Sequence, residues 1–196
     1  MTEIQANADA APGPARALRA DARRNRERVL AAAQEAFAAE GISVPLDEIA
    51  RRAGVGPGTV YRHFPTKEAL FHAAMVDRVG RMTAQAQSLA TADDAGRAFY
   101  AYLDYMVVEG GVKRDLAEAV GGHEGVESQE PTLELRSAIE HLLCRAQDRG
   151  AVRTDIDIAD LMRILKGAFL ASYTTGADAE QRGRVFAIVF DGLRPR

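Results

Sequence analysis

Apolar residues along this chain recur at three- and four-residue spacing and nowhere alternate in twos, which predicts helices throughout and no strands. Val29, Ala33 and Phe37 repeat at i, i+4 with Leu30 beside them, and Gly41 stands where a helix takes a left-handed residue to end. Asp21 is the expected N-cap of this first helix. Ile42 to Val44 is a connector that offers no side-chain cap. Pro45 is expected in the first turn of a second helix, whose Leu46, Ile49, Ala50 and Ala53 share one face. Gly54-Val55-Gly56 then forms a turn with Val55 as its apolar plug. Pro57 restarts a short helix that turns Val60 and Phe64 inward. Pro65 stops it, and Thr66 caps a longer helix from Lys67 to about Leu89, with Leu70, Phe71, Ala74 and Met75 inward. Further on, the same period predicts helices at Asp94 to Val108, Lys113 to Val120, Pro131 to Arg149, Asp155 to Tyr173 and Ala179 to Asp191, punctuated by glycines.

The predicted fold is therefore all-α. Residues 1–20 form a polar tail, expected to be disordered, that ends in arginines. Residues 21–66 form a three-helix domain with helix-turn-helix spacing, and residues 67–196 form a larger helical body. Composition agrees: hydrophobic residues make up 47% of the chain, enough for a core, while aromatics make up only 6%, which favours helix over sheet. No apolar run reaches membrane-spanning length, and the first residues lack the apolar segment of a signal peptide, so a cytoplasmic protein with no membrane partner is expected. The single cysteine, Cys144, excludes an intramolecular disulfide and a Cys-based zinc site.

Charge is unevenly placed. Residues 16–67 carry ten Lys/Arg against six Asp/Glu, whereas residues 68–196 carry fifteen against twenty, within a net charge of −3. A basic front on an acidic remainder points to an anionic partner for the front alone. The second helix of a helix-turn-helix enters the DNA major groove, and here it opens with Pro57, Gly58 and Thr59, small enough for close backbone approach. Tyr61 and Arg62 follow with the reach to meet bases or phosphates, arginine being the usual reader of guanine. Thr59, Tyr61, His63 and Lys67 carry donors suited to phosphate oxygens. Arg16, Arg19, Arg23, Arg24, Arg26 and Arg28 are placed to follow the adjacent backbone or minor groove. The Gly54-x-Gly56-x-Gly58 run is not a phosphate loop, because no strand precedes it and no Lys-Ser/Thr follows it.

From Leu46-Asp47-Glu48-Ile49-Ala50-Arg51-Arg52-Ala53-Gly54-Val55 through Gly58-Thr59-Val60-Tyr61-Arg62-His63-Phe64 to Lys67-Glu68-Ala69-Leu70, the sequence resembles the N-terminal domain of the tetracycline-repressor (TetR) family. The resemblance runs from about Arg24 to Met75. It departs at Val44-Pro45, where many members have a threonine that caps the second helix and touches phosphate. It implies an all-α homodimer that binds double-stranded DNA at a palindromic operator. It also implies phosphate contacts from Thr59, Tyr61, His63 and Lys67, and base contacts from Pro57, Gly58, Tyr61 and Arg62. The C-terminal layout, ending Asp191-Gly192-Leu193-Arg194-Pro195, resembles the SbtR-like subgroup.

Within such a family the body holds a ligand pocket and a dimer-forming helix pair. Ile156, Ile158, Leu161, Ile164, Leu165, Ala168 and Phe169 are apolar nearly all round, and Val185, Phe186, Ile188, Val189 and Leu193 make a second strip, as a four-helix dimer interface needs. Candidate pocket residues for an unknown small-molecule effector are Phe99, Tyr102, Tyr105, Met106, Leu143, Cys144, Phe169 and Tyr173, each equally open to an ordinary core role. No cofactor is expected and no metal site: His123, Glu124 and Glu127 lack a second histidine nearby, His72 and His141 read as solvated or capping residues, and Cys144 is not expected to act as a redox switch. The rival classes are a ligand-independent DNA-binding regulator, which needs a body without a cavity, and an enzyme, for which the sequence offers no nucleophile–base pair.

Overall fold

The computed structural model describes residues 14–109, 130–174 and 176–195, and every regular element among them is an α-helix. In chain order these are α1 (Pro14–Glu40), α2 (Leu46–Ala53), α3 (Pro57–His63), α4 (Lys67–Leu89), α5 (Ala95–Glu109), α6 (Glu130–Asp148), α7 (Ile158–Thr174) and α8 (Ala179–Gly192). The expected helix at Lys113 to Val120, the loop residues His123, Glu124 and Glu127, and residues 1–13 lie outside the described residues.

α1 is longer than its sequence signals suggest. It starts at Pro14, so residues 14–20 of the expected disordered tail are helical, and Asp21 lies inside the helix, where it pairs with Arg24 one turn on, and does not cap it. Alanine and arginine are strong helix formers and proline suits the first helical position, so nothing before Asp21 stops the helix. Within residues 20–40, where burial is described, the buried apolar face of α1 begins at Val29, and residues 21–24 and 26–28 are exposed.

Pro45 is the N-cap of α2, one position earlier than expected, and its extended backbone (φ −65°, ψ 145°) turns its carbonyl onto the amides of Glu48 at 3.1 Å and Ile49 at 3.2 Å. No side chain caps this end. Val44 and Ile49 are instead both buried in one core, at the two positions that a hydrophobic staple pairs. At the other end Gly54 adopts φ 63°, its amide meets the Arg51 carbonyl at 3.2 Å, and the Val55 amide meets that of Ala50 at 3.0 Å. These two bonds close a Schellman motif, with Val55 packed onto the core as its apolar contact. The α2–α3 turn is thus set by backbone chemistry and one partly buried valine.

Two cores result. The first joins α1, α2, α3 and the start of α4 around Val29, Leu30, Phe37, Ile49, Val60 and Leu70. The second joins α5, α6, α7 and α8 around Phe99, Tyr102, Leu103, Ile139, Leu142, Leu161 and Phe186. α4 serves both, giving Leu70 and Ala74 to the first and Ala86 to the second. The expected division between residues 66 and 67 is consequently not a break in packing. Arg145 of α6 donates to the carbonyls of Ala90 and Ala92 just past the end of α4, and the Tyr102 hydroxyl donates to Met82 at 3.2 Å, so the far half of α4 is fastened to the body.

Candidate nucleic-acid interface

α3 is held from behind and left open in front. Val60 and Phe64 are buried in the first core, and the Arg26 guanidinium lies 5.6 Å from the centre of the Phe64 ring, tying α1 to the end of α3. The opposite side carries Pro57, Gly58, Tyr61 and Arg62, all exposed, with Thr59, His63 and Lys67 half-buried at its margins. A Cβ added to Gly58 would meet nothing within 4 Å, so packing within the protein does not require glycine there. The His63 ring is tilted against Phe64, 6.2 Å between centres. Lys67 turns its Nζ back to the Ser43 carbonyl at 3.1 Å, which uses one of the three ammonium donors and leaves two.

The arginines here fall into two sets. On α2, Arg51 donates to both Glu48 oxygens at 2.8 and 2.7 Å, and Arg52 bridges Glu48 at 2.7 Å and Glu40 at 2.6 Å. Hydrogen bonds from Arg51 and Arg52 pull the Glu48 carboxyl down to about 2, so it stays ionised and keeps both guanidiniums occupied. Arg62, by contrast, makes no ion pair or hydrogen bond among the described residues. Of the three arginines on α2 and α3, the one aimed outward from the second helix is the one whose donors are unspent, and a planar guanidinium with free donors is what bidentate recognition of an anion or a guanine edge requires.

Comparison with known proteins agrees with this geometry. Residues 29–74 match the model for bacterial regulatory proteins of the tetR family, and residues 94–195 match the SbtR-like transcriptional-regulator C-terminal domain. The crystal structure of a TetR transcription regulatory protein from Mycobacterium vanbaalenii is 41% identical, with a TM-score of 0.70 over 90% of this chain and 99% of that one. The chain belongs to the TetR family. This TetR-family chain is accordingly a DNA-binding transcriptional regulator. The TetR regulator SCO0520 of Streptomyces coelicolor is also similar, at 34% identity and a TM-score of 0.70, over 87% of this chain and 98% of that one. The HTH-type transcriptional regulator SrpR of Pseudomonas putida is 45% identical over 65 residues, which are 33% of this chain and 30% of that regulator. The chain therefore matches under a third of that relative's length. The family resemblance expected from the helix-turn-helix motif is correct, as are the SbtR-like subgroup and the all-α fold.

In the body the candidate pocket residues divide. Phe99, Tyr102, Met106 and Leu143 are buried in the second core, and Tyr105 and Phe169 pack against it. Burial pushes the Tyr102 hydroxyl well above its ordinary range, so it stays a neutral donor. Cys144 is exposed and is not gathered with the others; in α6 it falls on the face opposite the buried Leu142 and Leu143. Tyr173 is outside the residues whose side chains are described. An open cleft of about 520 Å³ between α4 and α6 is lined by Gln87, Ala90, Glu134, Ser137, Ala138 and His141, and by none of the candidates. No described helix is long and apolar enough to cross a membrane, and no described group of His, Cys, Asp or Glu has the arrangement to hold a metal ion.

Sequence reasoning missed the polar ties between elements. Gln34, Asp77 and Arg81 meet across α1 and α4, and Ser43 receives Lys67. No local pattern marks such residues, because their partners lie more than twenty positions away.

Proposed function

We propose that this regulator represses transcription in the cytoplasm as a homodimer on a palindromic operator, and that a small, largely apolar molecule bound in the body releases it. The observation that carries the DNA-reading part is the outer face of α3, with Tyr61 and Arg62 exposed and Arg62 unpaired while the arginines of α2 are occupied. Arg62 and Tyr61 read base edges beside Pro57 and Gly58, where the backbone comes close. Thr59, Tyr61, His63 and Lys67 meet phosphates, and the arginines of the exposed half of α1 add further phosphate partners. The functional division follows residues 21–66 for reading and 67–196 for ligand and dimer. In the dimer two α3 helices stand about 34–36 Å apart, one turn of DNA.

The dimer surface we assign is the outer side of α7 and α8. Each of these helices turns one face inward, Leu161, Leu165 and Ala168 on α7 and Phe186 on α8, and leaves Ile164, Leu170, Val185 and Ile188 at the surface. Release works through α4, because a helix packed into both cores transmits a shift in one to the other.

The test is selection of bound sequences from random duplex DNA at graded salt, with Arg62→Ala alongside. The wild type is expected to recover a palindrome, and Arg62→Ala to lose about 1–3 kcal/mol of discrimination at one base position of each half-site. Recovery of only sequence-blind, salt-sensitive binding overturns the reading. A ligand-independent regulator is the second reading, favoured by the closed packing of Phe99, Tyr102 and Leu103. It predicts that no member of a panel of small apolar compounds raises the melting temperature or weakens operator binding.

A further inference from the structure

α4 changes allegiance part-way along its length, and one side-chain cluster sits at the change. Gln34 of α1, which is partly buried, donates from Nε2 to the Ala74 carbonyl at 2.8 Å and to Asp77 Oδ2 at 3.1 Å. Its Oε1 accepts from Arg81 Nη2 at 2.5 Å, and Arg81 pairs with Asp77 on the same helix. The three side chains close a ring in which both amide hydrogens and the amide oxygen of Gln34 are engaged. One residue further on, the Met82 carbonyl accepts from Tyr102 and the body begins. On the reader side, Lys67 also donates to the Ser43 carbonyl and Thr66 caps the helix, both at the extreme start of α4, a distance along the helix from the ring. The apolar contacts there, through Leu70 and Ala74, are non-directional and permit small rotations. The amide ring is directional, because each bond weakens steeply once misaligned.

We infer that the Gln34–Asp77–Arg81 ring fixes the angle between the α1–α3 unit and the body, so that Gln34 is a positioning residue for the separation of the two α3 helices. The inference rests on the proposed dimeric reading for its effect on DNA, but not for the angle itself. A regulator that recognises two half-sites needs a defined separation between its readers, and a fixed angle within each protomer provides it. With the ring opened, each α3 still recognises its own half-site, while the penalty for a wrong spacing falls.

Gln34→Leu keeps the volume of the side chain and removes its three polar contacts. Two measurements test it. The first is the distance distribution between nitroxides at Arg62→Cys and Glu140→Cys in a Cys144→Ser background, spin-diluted with unlabelled protein, without DNA. The expected result is a narrow distribution with Gln34 and a broader one in Gln34→Leu. The second is binding of palindromes whose half-sites are moved apart by single base pairs, using the half-site recovered with the wild type. Gln34→Leu is expected to lose about fivefold or more of the preference for one spacing, with the half-site sequence unchanged. Equal distance distributions overturn the inference, and so does an unchanged spacing preference. Should Gln34→Leu not fold, Gln34→Glu replaces it; it retains an acceptor for Arg81 and sets a carboxylate against Asp77, and the same outcomes apply. A wild type that recovers no palindrome, with a distribution that broadens in the variant, removes the proposed function and leaves the positioning role standing.

Discussion

Glu48 engages two of the three guanidiniums on α2 and α3. By holding Arg51 and Arg52 it leaves Arg62 as the unpaired guanidinium of the two helices. Its carboxyl, held at about 2 against an ordinary 4.5, binds a proton more weakly folded than unfolded. The contribution of these pairs to stability is therefore complete above about pH 4.5 and is lost as the pH falls toward 2. Urea denaturation across that window is expected to show a steeper fall for wild type than for Glu48→Gln; parallel curves mean that the pairs are solvated and add nothing. Gly54 matters for a different reason. At φ 63° an L side chain is strained, yet an added Cβ would meet only Arg28 at 3.8 Å, so the cost of Gly54→Ala is backbone strain alone. A loss of about 1–2 kcal/mol is expected in chemical denaturation, and a neutral result means that the turn relaxes out of the left-handed region.

Among the elements, α4 carries the most consequence because it enters both cores. Its start is fixed by Thr66, whose Oγ1 accepts from the Ala69 amide at 3.1 Å, one turn before Leu70 enters the first core. Removing that cap with Thr66→Ala is expected to lower stability by about 1 kcal/mol, read as a shifted denaturation midpoint with an unchanged slope; a shift of a few tenths or less means that other contacts set where α4 begins. The helix limits of α3, α4 and α8 were legible because each has a proline or a capping side chain at its start. Asp178 and Gln181, for instance, form a complete capping box on α8. The start of α1 was not legible. Asp21 is a good cap by type, but a capping residue acts only where the backbone before it leaves the helix, and the Ala/Arg run before it does not.

At the scale of the molecule, α7 and α8 show how an apolar helix divides its loyalties. The inward residues are spent on the second core, and Ile188, 73% exposed in one protomer, has no use there. Ile188→Glu is expected to leave the fold intact and to turn a dimer into a monomer in sedimentation, with a loss of operator affinity. A dimer of unchanged mass places the interface elsewhere.

Periodicity, two prolines, Gly54 and the Gly-Thr-x-Tyr-x-His-Phe run were enough for the sequence to determine the all-α class, the helix-turn-helix and the family. These signals are local: each is a residue type meeting a backbone requirement within one or two turns. What tertiary structure decided is everything that depends on partners distant in the chain. It paired Arg51 and Arg52 with Glu48, turned Lys67 toward Ser43, placed Cys144 outside the core and joined Gln34 to α4. A side chain's type says what it can bond, but which bond it makes is fixed by the few groups that folding brings within about 3 Å of it.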